Sequence, residues 1–151
     1  MRASSFALSL ILATSGILPT LAAVCSTTTP ATEQQQSVAF KAFADIFLVQ
    51  KNIQKAFDDY IPDTYINHNP TAQSGRANAI NALKPFWSGI SITPAAVFSG
   101  GGFGLLHYRV KMSGTDMAVM DRYRLNGTCI VEHWDVNQSI TGREANPIAF
   151  F

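Results

Sequence analysis

Near Gly89 the apolar residues change their spacing, from every third or fourth position to every second, and this divides the chain into a helical part and a strand part. Phe40, Phe43, Ala44, Phe47 and Leu48 form one helical stripe, and Ile53, Ala56, Phe57 and Tyr60 repeat it. The break at Lys51-Asn52 makes these either two packed helices or one bent helix. Pro62 stops the second stripe, and Tyr65-Ile66-Asn67-His68-Asn69-Pro70 reads as a short connector. A third helical segment begins after Gly75 with Ile80, Leu83 and Trp87 on one side, and Pro85 ends or kinks it. Residues 92–99, 103–112, 117–125 and 128–138 then alternate as strands between Gly-rich or Asn-Gly turns. Helices followed by an antiparallel meander predict an α+β fold, in which one sheet face is covered by helices and a ligand cavity fits between the layers.

Composition agrees with one domain of this kind. The 151 residues are 47% apolar and 14% charged, enough to bury a core and too apolar for a disordered chain. Residues 1–23 place Arg2, an apolar run from Phe6 to Leu12, and Pro19 before small residues. That is the order of a secretory signal peptide, and it is too short and interrupted for a spanning anchor. Without Arg2 the eleven basic residues fall to ten against ten acids, so the mature chain is neutral, which argues against nucleic acid or an anionic membrane as partner. Residues 24–36 read as a flexible Thr/Gln-rich leader, leaving 37–151 as the domain of a secreted protein. Cys25 and Cys129 either pair or stay separate thiols, and Asn126 and Asn137 begin two N-glycosylation sequons that predict exposure.

Asn126-Gly127 is a strong signal for a two-residue hairpin turn. Taken literally, it pairs Leu125 with Thr128, Tyr123 with Ile130, Asp121 with Glu132 and Val119 with Trp134. Val119, Asp121, Tyr123, Glu132 and Trp134 then share an apolar face, and His133 and Asp135 fall on the other. Two carboxylates opposed on an apolar face repel and are poorly hydrated, which raises the pKa of one of them and makes it a candidate general acid or base. The plainer alternative turns Glu132 to solvent or to an arginine and leaves Asp121 a buried acceptor.

His68 lies in the connector, where a cavity mouth is expected. The face of His107 depends on the loop near Gly114: three loop residues would set it opposite Asp121, two or four on the other side. The glycine cluster around Gly101 leads into a strand, so it lacks the helix N-terminus that binds phosphate. Three scattered histidines predict no metal site.

Met120-Asp121-Arg122-Tyr123-Arg124-Leu125-Asn126-Gly127, running into Ile130-Val131-Glu132-His133-Trp134-Asp135-Val136, together with the His68-Asn69-Pro70 connector, resembles the SnoaL-like branch of the nuclear transport factor 2-like superfamily. The resemblance spans about residues 40–138. It implies a cone-shaped α+β barrel, with a bent antiparallel sheet around helices, an apolar pocket inside, and dimerisation through the sheet. It also implies, as in polyketide cyclases of that branch, an aspartate acid/base at Asp121 that closes a ring by an aldol step without cofactor, with His68 and His107 lining the pocket. Combined with the hairpin, this gives Asp121, His107 and His68 as candidate catalytic residues and Glu132, Trp134, Tyr123, Val119 and Phe57 as candidate contacts to an apolar small molecule. A secreted, non-catalytic binding or interaction module is the alternative.

Overall fold

The computed structural model describes residues 25–151, so the segment read as a signal peptide lies outside the described residues. Helix α1 (Glu33–Ala44) runs into a π-helical turn (Asp45–Val49), followed by α2 (Ile53–Tyr60), strand β1 (Ile66–Asn67) and α3 (Arg76–Leu83). A 3-10 turn at Trp87–Gly89 leads to β2 (Ser91–Gly100), β3 (Phe103–Met112), β4 (Thr115–Asn126) and β5 (Cys129–Ser139). The strands form one five-stranded sheet in the order β1-β5-β4-β3-β2, antiparallel except for the parallel β1–β5 pair.

The helical stripes become the buried layer as the spacing predicts. Phe40, Phe43 and Phe47 of the first stripe and Ile53, Ala56, Phe57 and Tyr60 of the second are buried against the sheet. The break between them is real: Lys51 takes a positive φ of 54°, its Nζ donates to the Ser88 and Ile90 carbonyls, and the Asn52 side chain caps α2. Against β3, Phe40 lies over Gly104, where an added Cβ would come within 2.4 Å of the ring.

Three details differ from the sequence reading. First, α1 begins at Glu33, not after residue 36, because Thr32 and Gln35 make a reciprocal capping box. Second, the leader is fastened to the last hairpin. Cys25 is disulfide-bonded to Cys129, Ser26 exchanges hydrogen bonds with Thr128, and the Gln36 amide donates to the Gly127 carbonyl. Gly127 is required twice over, by its φ of 57° and by the Ser26 carbonyl, which would meet a Cβ at 1.9 Å. Third, part of the connector is an edge strand, β1, whose two residues pair with Glu132 and His133. So short a strand exists only through its distant partner.

Candidate functional site

The hairpin register decides which side chains enter the space between helices and sheet. Asn126 faces Cys129, so the loop is Gly127-Thr128, one residue later than expected, and Leu125 faces Ile130. A bulge at Val131 then shifts the pairing so that Arg124 meets Glu132, Tyr123 meets His133 and Asp121 meets Asp135. One extra residue turns over the remainder of β5, exchanging its predicted faces. His133 and Asp135 come inside with Asp121 and Tyr123, whereas Glu132 and Trp134 go outside. The cue lay in Cys129-Ile130-Val131, three consecutive apolar residues that do not alternate.

Between the layers lies a cavity of about 440 Å³, large enough for a small organic molecule. Its walls include Phe47, Phe57, Trp87, Tyr108 and Val119, and Asp121, Tyr123, His133 and Asp135 also line it. Asp121 is 3% exposed, a carboxyl group inside an aromatic chamber. Tyr108 and Tyr123 donate their hydroxyls to its Oδ2 at 2.9 and 3.1 Å, and His133 Nε2 lies 3.2 Å from its Oδ1. Burial first, and then the Asp121 charge, pushes both phenols far above the ordinary tyrosine value of 10, so they remain protonated donors. Tyr65, another wall residue, is raised by burial and by the nearby Asp121 and Asp135 charges.

The hydrogen bonds also orient the imidazole at this site. Asn67 Oδ1 accepts the Asn69 backbone N–H at 3.1 Å, which fixes the amide orientation, and the same oxygen lies 3.0 Å from His133 Nδ1. His133 Nδ1 must therefore carry a hydrogen. A bond between His133 Nε2 and Asp121 Oδ1 then needs one further proton, shared as carboxylate with imidazolium or as carboxylic acid with imidazole. Among the described residues no cluster of three His, Cys, Asp or Glu side chains is suited to a metal ion.

Of the expected site residues, Asp121, Tyr123, Val119 and Phe57 line the cavity and four others do not. His107 faces Met120 across a two-residue loop and stacks on Phe151 outside the sheet, ring centres 4.9 Å apart. His68, 43% exposed at its side chain, stacks on Trp134 at 4.8 Å and bonds Glu132 at 2.8 Å. Trp134 is further covered by Arg122, whose guanidinium lies 5.0 Å from the ring centre. Glu132 is paired with His68 and Arg124, whose hydrogen bonds hold its carboxyl below the ordinary glutamate value, opposite to the raised value expected of a buried acid pair. Asn126 and Asn137 are both exposed, but the Asn137 amide already donates to Asp135 at the cavity. His133, Asp135, Tyr65, Tyr108 and Asn67 belong to the site and were not foreseen in it.

No protein-family model matches the sequence, and no curated protein matches it. Solved structures do match. An NTF-2-like protein of unknown function from Burkholderia xenovorans superposes with a TM-score of 0.60 at 14% identity, over 75% of this chain and 90% of that one. One from Mesorhizobium loti gives 0.58 at 18% identity, over 73% and 97%. The fold is NTF2-like. A candidate polyketide cyclase from Acidithiobacillus ferrooxidans shares it, with a TM-score of 0.53 at 14% identity over 69% of this chain and 88% of that one. In the NTF2-like frame the sheet is curved and unclosed, and the helices cover the side that carries Asp121.

Proposed function

We propose that the cavity binds an apolar carbonyl compound and that Asp121, backed by His133, moves a proton on it, as in an aldol-type cyclisation or isomerisation. The observation that supports this best is the Asp121–His133 pair itself, a buried carboxyl within hydrogen-bond distance of an imidazole at the wall of an apolar chamber. In its ionic form Asp121 takes a proton from the carbon beside the carbonyl. The C–H electron pair becomes the enolate, and the imidazolium left at His133 offsets the new negative charge. Tyr65 supplies a neutral hydroxyl to the carbonyl oxygen. In a cyclisation the enolate carbon bonds to a second carbonyl carbon, and the alkoxide that forms takes the proton back from Asp121.

Proton NMR of 2-tetralone in D2O tests this without knowing the natural substrate. The wild-type protein is expected to accelerate exchange of the hydrogens next to the carbonyl well above the buffer rate, and Asp121→Asn to abolish the acceleration with an unchanged circular dichroism spectrum. Acceleration that survives the substitution would refute the role of Asp121. A second reading, a binding module without chemistry, draws support from the three hydrogen bonds that already satisfy the Asp121 carboxyl. A tightly held, chemically unchanged ligand in native mass spectrometry, with no exchange activity, would favour it.

Export and pairing of two copies through the outer sheet face belong to the same proposal. The Cys25–Cys129 bond supports export, since disulfides persist in oxidising compartments. Met120 and Val136, cross-strand partners exposed on the outer face, support pairing. Light scattering of the purified protein reads the oligomeric state directly.

A further inference from the structure

Asp135 is a charge at the cavity for which the proton-transfer chemistry has no use. It stands directly across the ladder from Asp121, and its side chain lines the same cavity. Asn69 and Asn137 donate their amides to its Oδ2 at 2.8 and 2.7 Å, whereas its Oδ1 is buried and has no partner among the described residues. The Asn69 amide is itself oriented for this task, because its Oδ1 accepts from the Thr71 backbone and hydroxyl. Two neutral amides relieve part of the cost of burying a carboxylate and cancel none of its charge.

The rest of the cavity leaves that charge standing. His133 beside Asp121 is the one imidazole of the cavity, the tyrosines are neutral phenols, and no lysine or arginine among the described residues lines the space. The walls add the faces and edges of Phe57, Tyr65, Trp87 and Tyr108. Carboxyl groups beside aromatic rings, with no basic side chain among them, attract a cation with an apolar body and repel an anion.

We propose that the cavity selects an apolar organic cation, a protonated amine whose N–H groups engage Asp135 while its carbon skeleton lies against the aromatic wall. Such a group reaches Asp135 beside the unpartnered Oδ1 or by displacing one of the two amides from Oδ2. This rests on the cavity being the ligand site, and it narrows the carbonyl compounds considered above to those that also carry an amine.

Three probes with one carbon body test it: 2-naphthylmethylamine, 2-naphthalenemethanol and 2-naphthoate, titrated calorimetrically into the full, disulfide-bonded protein at neutral pH. The amine is expected to bind about tenfold or more tightly than the alcohol, as a charged hydrogen bond does over a neutral one, and the carboxylate not to bind measurably. Asp135→Asn is expected to bring the amine to the affinity of the alcohol. Equal binding of amine and alcohol by the wild type, or a preference that survives Asp135→Asn, overturns the assignment of Asp135 and leaves the cavity reading intact. Failure of all three probes to bind overturns both. If Asp135→Asn does not fold, the wild-type ratio and its decline with added salt decide the matter, since only a charge-based preference weakens with ionic strength.

Discussion

Breaking the Cys25–Cys129 bond is the perturbation whose size follows most directly from the structure. The two cysteines are 104 residues apart, so the bond closes a loop that includes α1 and the hairpin turn onto which residues 25–30 are packed. In the chain-entropy treatment a loop of this length restricts the unfolded chain by about 4.7 kcal/mol at 25 °C. That is a large part of the roughly 5–15 kcal/mol that keeps an ordinary domain folded. Cys25→Ser, Cys129→Ala and the double variant should each lose about 3–5 kcal/mol in urea unfolding followed by tryptophan fluorescence. Because each single change breaks the same bond, the three losses should agree within about 0.5 kcal/mol, apart from what the buried Cys129 side chain adds by packing. A double variant within about 1 kcal/mol of the oxidised wild type would refute the account, and so would single effects that simply add.

Other predictions follow from close contacts and charges. Gly104→Ala drives a methyl into the Phe40 ring and should cost about 1–3 kcal/mol, seen as a lower melting temperature; an unchanged melt would mean that α1 is not seated on β3 as described. The depressed carboxyl of Glu132 contributes stability that is complete above its ordinary value of 4.5 and is lost as pH falls below it, because protonation breaks its pairing with His68 and Arg124. Glu132→Gln should flatten that acid limb in thermal melts between about pH 3 and 6, and an unaltered limb would count against the pairing. If the exchange assay succeeds, His133→Gln should suppress it about tenfold or more while His107→Gln leaves it within about twofold, as general acid–base partners and bystanders differ. The reverse order would restore His107 to the site.

Local chemistry made much of this molecule readable in advance. The stripes at Phe40–Leu48 and Ile53–Tyr60, the stop at Pro62, the helix end before Pro85 and the four long strands follow from side-chain period and backbone restrictions that act within a few residues. The inward placement of Asp121 was also legible, because its neighbours Val119 and Tyr123 alternate with it on a regular strand. The partners of Asp121 were not legible. Face assignment on β5 depends on counting by two from the turn, and one bulged residue at Val131 inverts the count, replacing Glu132 and Trp134 with His133 and Asp135.

The amino-acid sequence alone determined the order of helices and strands, the helix breaks, the apolar faces and one buried acid, since periodicity and φ restriction are properties of neighbouring residues. Tertiary structure decided the rest. The β1 edge, the orientation of Asn67 and Asn69 and the seating of the Cys25 segment on the last hairpin exist only where distant parts of the chain meet. The contact of Asp121 with His133, and the unpartnered oxygen of Asp135, are consequences of that meeting, because burial and partner geometry are set by the whole fold.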